Sequence, residues 1–405
     1  MKRVVVTGLG IVSSIGNNRK EVLDSLLNVR SGIEFSKEYA DLGFRSHVYG
    51  SISADINALV PRKFRRFMGD GAAYSYISMA EAVEDAELAD KDLTSERTGL
   101  VVGSGVASGA PLVEMADTLR NKGARKVNPF YVPKIMSSCN AANLATAFKI
   151  RGYSYTISSA CATSSHCLGN AYQLIQAGEQ DLMFVGGGDE LSWIVSIAFD
   201  SMGALSSNFN DSPELASRAY DKDRDGFVVA GGGGTIVLED YERAKARGAH
   251  IYCEVTGYGI SSDGHDMVRP SGEGAERCMK MALNNFDGNI NYLNAHGTST
   301  PAGDITELIA IKNVFGKERG MPKIGSTKSL TGHSLGAAGV HEAIYCILMM
   351  NNNFLCPSAN IINLDPEAES YPIVLETIND CELDHVMSNS FGFGGTNCSL
   401  IFSKI

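Results

Sequence analysis

Apolar runs of four or five residues alternate along the chain with stretches in which apolar positions recur at helical spacing. Val4-Val5-Val6, Gly99-Leu100-Val101-Val102, Leu182-Met183-Phe184-Val185 and Thr235-Ile236-Val237-Leu238 have the length and branching of buried strands. Ala72 to Ala86 reads as an amphipathic helix, and Tyr153-Ser154-Tyr155-Thr156-Ile157 alternates like a strand. Leu168, Ala171, Leu174 and Ile175 return at helical intervals, so the small residues between them and Ile157 form a strand-to-helix turn with Cys161 near its centre. Strands interleaved with amphipathic helices predict layered α/β domains.

Two internal echoes organise this pattern. Val6-Thr7-Gly8-Leu9-Gly10-Ile11 recurs as Val255-Thr256-Gly257-Tyr258-Gly259-Ile260, each followed by a Ser-Ser pair. The run from Ile157 through Cys161 and His166 to Gly169 recurs from Ile324 through Lys328 and His333 to Gly336, which pairs Cys161 with Lys328 and His166 with His333. Both echoes keep the same order, so the chain reads as two similar halves, 1–250 and 251–405. Thr7 and Cys161 are 154 residues apart, Thr256 and Lys328 only 72. The first half therefore carries insertions, expected around 30–70 and 104–140.

A length of 405 residues exceeds what one core usually serves, which agrees with two halves. Nine cysteines without a Cys-x-x-Cys pair, and an N-terminus that reads as a strand rather than a leader, point to a reducing, cytoplasmic setting. No apolar run is long enough to span a bilayer. A net charge of −11 argues against a general nucleic-acid binder, although a local basic patch can still meet an acidic partner.

Nucleotide and metal motifs fail on inspection. Ser13 stands where a dinucleotide fingerprint beginning at Gly8 needs its third glycine, and no Walker A run occurs. His341-Glu342 starts like a zinc helix, but Tyr345 replaces the second histidine, so this segment reads as a helix surface. Cys161 is more informative. A turn opening a helix offers free N–H groups and the positive end of the dipole, which favour a thiolate and supply a donor to an oxyanion; a small buried cysteine in a tight turn is the plain alternative. His296 and His333 each lie in a Gly/Ser/Thr-rich turn, structural on their own account, yet one cysteine and two such histidines over duplicated halves suit nucleophilic acyl chemistry. The polar, aromatic and flexible run Ser388–Asn397 can offer a backbone N–H to a reacting oxygen.

Taken together, VTGLGIVSSIG at 6–16, SSACATS at 158–164, DRDGFV at 223–228, HGTSTPAGD at 296–304, KSLTGHSLGAAG at 328–339 and SNSFGFGGTN at 388–397 resemble the β-ketoacyl-acyl carrier protein synthases, condensing enzymes of the thiolase fold. The resemblance spans essentially the whole chain and is strongest to the bacterial synthase I group. It implies a duplicated thiolase-like α/β fold in α-β-α-β-α layers, a homodimer, and no bound metal or nucleotide cofactor. It further implies that Cys161 takes an acyl chain from carrier-protein phosphopantetheine, and that His296 and His333 stabilise the enolate left when malonyl-carrier protein loses carbon dioxide. Backbone N–H groups of Cys161 and Phe393 would form the oxyanion hole, with the Phe393 ring as gate. Lys328 would act electrostatically beside the site, paired with Glu307; Thr298 and Thr300 would bind the pantetheine arm, and Asp304 would order their turn.

The basic clusters Arg62-Lys63-Phe64-Arg65-Arg66 and Arg120, Lys122, Arg125, Lys126 are solvated faces on general grounds. The resemblance makes Lys63, Arg66, Arg125 and Lys126 candidates for docking an acidic carrier protein. Val106-Ala107-Ser108-Gly109 departs from the glycine-rich pattern of synthase I relatives in a region that lines the family's acyl tunnel. Arg269, near the inferred pantetheine entrance, has no assigned role. Other readings remain: a synthase II or a specialised polyketide or polyene ketosynthase, a non-condensing chain-length subunit, or a cysteine hydrolase passing through a thioester.

Overall fold

The computed structural model describes residues 1–316 and 319–405. Among the described residues one continuous sheet holds ten strands. The first five are β1 (Val4–Val12), β2 (Thr98–Gly103), β3 (Ser154–Tyr155), β4 (Leu182–Asp189) and β5 (Gly232–Asp240). The other five are β6 (Cys253–Ser262), β7 (Tyr292–Asn294), β8 (Lys323–Gly325), β9 (His385–Gly392) and β10 (Thr396–Ser403). Their order is β8-β7-β9-β10-β6-β1-β5-β4-β2-β3. Read outward from the centre, β1-β5-β4-β2-β3 and β6-β10-β9-β7-β8 are one topology used twice, with two antiparallel and then two parallel pairings in each arm. The arms join through Val5 opposite Glu254 and Val6 opposite Cys253.

Six helices repeat the same plan: α1 (Asp70–Asp85), α2 (Cys139–Phe148) and α3 (Thr163–Gln176), then α4 (Glu273–Ala282), α5 (Pro301–Phe315) and α6 (Ala338–Asn351). Alternation along the strands sorts side chains into separate cores. Leu100, Val102, Leu182 and Phe184 face α1 and α2 outside one arm, while Val101, Met183 and Val185 face inward. Leu293, Met387 and Ile401 meet α4 and α5 outside the other arm. Between the arms α3 and α6 pack on each other and on strands of both arms. The layers are thus α-β-α-β-α. The middle position explains α6, in which every residue from Ala338 to Met350 is buried, His341 and Glu342 included.

The first echo has a packing cause. Register slips fall at Thr7 in β1 and beside Thr256 in β6. Beyond them a Cβ on Gly10 would stand 1.9 Å from the Ser78 carbonyl oxygen of α1, and one on Gly259 2.0 Å from that of Cys278 in α4. Only glycine admits a helix that close to the strand backbone.

Insertions occupy 13–69, with a small hairpin pairing Ile33–Phe35 to Val48–Gly50, and 104–138, with a helix over Gly109–Lys122. A third, at 190–231, carries the helix Trp193–Ser201 and was not anticipated from the echo spacing. Among the described residues no helix is long and apolar enough to cross a membrane.

Candidate active site

Cys161 stands between β3 and α3 in a turn drawn tight by its own small residues. Ala160 adopts φ +48°, in the left-handed region. The Ser159 N–H donates to Thr163 Oγ1 at 2.8 Å, and that hydroxyl donates to the Ala160 carbonyl at 2.8 Å. A strained, clamped backbone of this kind fixes the aim of a side chain. Gly392, at the end of β9, lies against the turn: a Cβ there would stand 3.1 Å from the Cys161 nitrogen. The loop then turns through Gly394 and Gly395 at φ +83° and +71°. The backbone N–H groups of Phe393 and of Cys161 itself act on the sulfur in favour of its charged form.

Burial pushes the Cys161 thiol up to about 11; the Lys328 charge and the two N–H groups oppose this, and Asp189 adds to it. The expectation that the turn would favour the thiolate is therefore corrected. Desolvation outweighs the donors, and the resting group is the protonated thiol.

His296 follows β7, and His333 follows the short helix Lys328–Thr331. Their rings meet edge to face with centroids 5.3 Å apart, and donor atoms of Cys161, His296 and His333 all lie within 4.8 Å of one another. Burial, then the Lys328 charge, hold both imidazoles well below the usual histidine range, so both are neutral at pH 7. Nδ1 of His296 and both ring nitrogens of His333 are buried and have no hydrogen-bond partner among the described residues. Such groups are costly unless something fills them. Three donors would suit a metal ion by count, but the Lys328 ammonium that suppresses the imidazolium forms opposes a cation here for the same reason.

Lys328 does not pair with Glu307. Its Nζ bonds to Glu342 on α6, both side chains being fully buried. Burial raises the Glu342 carboxyl to about 7 against the pull of Lys328. The helix surface expected at His341-Glu342 is instead the centre of the molecule: both residues are buried, and His341 Nδ1 meets Ser334 Oγ at 2.9 Å. Glu307, on α5, has another task. It accepts the backbone N–H of His296 at 3.0 Å and of Gly297 at 2.9 Å, and the Asn389 amide at 3.2 Å. It clamps the histidine turn.

A cavity of about 610 Å³ connects these groups to the surface, lined by Cys161, His296, His333, Thr298, Thr300, Glu307 and Phe393. Phe199, Met202, Ala204, Phe227 and Leu335 form apolar wall, with Met267, Val268 and Arg269 also lining it. The third insertion thus supplies much of the apolar lining, and Val106–Gly109 supplies none of it. Thr298 Oγ1 and Thr300 Oγ1 are 3.2 Å apart. Asp304 accepts the Thr300 N–H at 3.3 Å. Arg224, within the 223–228 motif but assigned no role from sequence, bonds the carbonyls of Thr300 and Pro301 at 3.1 and 2.9 Å, Asp365 at 2.6 Å and Asp304 at 3.3 Å. Its guanidinium fork suits a hub joining several acceptors.

Lys63, Arg66, Arg125 and Lys126 are all exposed. Arg66 lies over the rings of Phe67 and Phe130 at 4.7 and 5.1 Å, and those rings meet at 5.0 Å. The first basic run thereby abuts the segment following Arg125 and Lys126. Arg65 is used internally, on the Met68 carbonyl and Asp70.

Residues 1–244 match the family model described as "Beta-ketoacyl synthase, N-terminal domain", and residues 252–362 the one described as "Beta-ketoacyl synthase, C-terminal domain". The chain belongs to the beta-ketoacyl synthases. Within that family it is 56% identical to 3-oxoacyl-[acyl-carrier-protein] synthase 1 of Haemophilus influenzae, covering 100% of this chain and 99% of the relative. It is also 56% identical to the enzyme of the same name from Escherichia coli K12, over 100% of both chains. A crystal structure of a beta-ketoacyl synthase from Burkholderia phymatum covers 100% of both chains at 36% identity, with TM-score 0.93. A type II polyketide ketosynthase, solved with its acyl-carrier protein and bound to a hexaketide, aligns at 29% identity over 100% of this chain and 99% of its own, with TM-score 0.90.

Proposed function

We propose that this synthase catalyses the decarboxylative condensation of an acyl chain with malonyl-acyl carrier protein in fatty acid elongation. One observation carries the reading: a thiol and two neutral, unpartnered imidazoles converge in one cavity. Full-length similarity to synthase 1 enzymes supports this fatty acid role over the polyketide one, where the likeness is lower.

In the first half-reaction Cys161 sulfur attacks the thioester carbonyl, with its proton passing to the departing pantetheine thiolate. The tetrahedral oxyanion sits between the N–H groups of Cys161 and Phe393, and removing one donor of this kind typically costs about 3 kcal/mol of barrier. Malonyl-carrier protein then enters. Its thioester carbonyl accepts hydrogen bonds from His296 and His333 through the nitrogens that now lack partners. Loss of carbon dioxide leaves an enolate that these bonds stabilise without a strong base. The enolate carbon attacks the Cys161 thioester; β-ketoacyl-carrier protein leaves, and the Cys161 thiolate regains a proton. Neutral imidazoles serve as donors throughout, and Glu307 keeps the His296 donor aimed.

Thr298 and Thr300 line the route of the pantetheine arm, which arrives with the carrier rather than residing in the protein. Carrier docking falls to Lys63, Arg66, Arg125 and Lys126, and the Phe393 ring gates the acyl pocket. Two copies of the chain associate along β3, the last strand of the sheet, where Tyr153 and Tyr155 are exposed and the outer edge has no strand beside it.

Supplied with acyl- and malonyl-carrier proteins, the protein is expected to release carbon dioxide and β-ketoacyl-carrier protein in equal amounts; free acid instead would identify a hydrolase. Reversing Lys63 and Arg66 to glutamate is expected to lower kcat/KM for carrier-borne substrates about tenfold or more and leave small thioesters within twofold. Equal losses on both would remove the docking role.

A further inference from the structure

In the internal echo His166 occupies the place of His333, yet it lies outside the cavity lining and has no part in the chemistry above. It is buried, one turn into α3, and both ring nitrogens are engaged. Nε2 lies 3.2 Å from the Asn397 carbonyl oxygen, and Nδ1 lies 2.6 Å from Ser159 Oγ. A carbonyl only accepts, so Nε2 carries the proton. Burial holds the ring below the usual histidine range and hence neutral, which leaves Nδ1 to accept from the Ser159 hydroxyl.

The two contacts reach the two sources of oxyanion donors. Ser159 opens the strained turn that ends in Cys161. Asn397 lies on β10, just after the glycine loop that presents Phe393, and its amide also bonds Asp263 at 2.7 Å and the Gly395 carbonyl at 3.1 Å. These segments come from opposite halves of the chain. Gly394 and Gly395 give the loop backbone freedom, so the spacing of the two N–H groups is not fixed by the loop alone.

We propose that His166 is a positioning residue that ties the Cys161 turn to the Phe393 loop and so holds the two oxyanion donors in register. The inference rests on the condensation reading. It assigns His166 to the steps that form a tetrahedral oxyanion at Cys161 and leaves it out of malonyl decarboxylation, which draws on His296 and His333.

The test separates those steps in His166→Leu, which removes both bonds, and His166→Gln, whose amide can still donate towards Asn397. Cys161 acylation is followed by intact-protein mass, and carbon dioxide release is measured from malonyl-carrier protein without an acyl primer. In His166→Leu acylation and condensation are expected to slow at least tenfold in kcat with little change in KM, while carbon dioxide release stays within twofold. His166→Gln is expected to fall between this variant and the wild type, and it carries the test by itself if the leucine variant does not fold. Acylation within twofold of wild type in His166→Leu would overturn the proposal. Equal slowing of both half-reactions in His166→Gln would also overturn it, since His166 would then be holding the fold as a whole. A wild-type protein that makes no β-ketoacyl product would instead sink the condensation reading, whatever the variants do.

Discussion

Cys161→Ala is expected to abolish the covalent acyl adduct and to lower condensation by at least about 10³-fold while leaving the fold intact. The magnitude follows from removing the nucleophile through which the acyl chain must pass before a carbon–carbon bond can form. Folding is spared because alanine fits a turn already built from Ser158, Ser159, Ala160 and Ala162, and because the clamps on that turn are made by Ser159 and Thr163 rather than by the thiol. Carbon dioxide release from malonyl-carrier protein is expected to persist, since the unpartnered imidazole nitrogens remain. An adduct retained in the alanine variant, read by intact mass, would move the nucleophile to another residue.

The second large effect concerns Lys328. Lys328→Met is expected to destabilise the protein by about 3–5 kcal/mol, because it leaves the Glu342 carboxylate buried without its counter-charge. The pH dependence has a definite sign. Glu342 titrates at about 7 in the folded protein, above an unfolded value of about 4.3. Its contribution to stability is therefore fully present below the unfolded value and is lost as pH rises through the folded one. Without Lys328 the folded value moves higher still, so the deficit of the variant relative to wild type is expected to be larger at pH 8 than at pH 5 in urea titrations. Adding Glu342→Gln is expected to recover part of the loss at pH 8. A deficit that is the same at both pH values would show that lost packing, not an uncompensated carboxylate, is responsible.

The error over Lys328 shows where the sequence stops being informative. Val6–Ile11 and Val255–Ile260 read as an echo because glycine spacing in a strand records how closely a helix lies on it, and Gly10 and Gly259 have that geometry in both arms. The paired topology was legible for this reason. So were Cys161, His296 and His333, each in a small-residue turn beyond a strand, and the structure brings them to one cavity. Glu342 was not legible. It sits in α6, whose burial on every side follows from lying between two arms of the sheet whose strands are far apart in sequence. The apolar run Ala343–Met350, directly after His341 and Glu342, is the signal the sequence offers for a helix buried on all sides. Glu307 was found but misassigned, because sequence shows a carboxylate near a turn and not whether it faces an ammonium or two backbone N–H groups. The thiolate expectation failed similarly: a helix start is visible in sequence, whereas the desolvation that outweighs it at Cys161 belongs to the assembled cavity. The apolar wall from 190–231 was missed because that insertion lies outside the span between the echoes.

The central claim, a thioester on Cys161 discharged by carbon–carbon bond formation, is tested most directly by intact-protein mass spectrometry with product analysis. The protein is first acylated with medium-chain acyl-carrier protein and then mixed with malonyl-carrier protein. The expected result is an acyl mass on wild type and not on Cys161→Ala, lost on mixing as β-ketoacyl-carrier protein and carbon dioxide form in matching amounts. An adduct that ignores malonyl-carrier protein, or that decays only to free acid, would contradict the account.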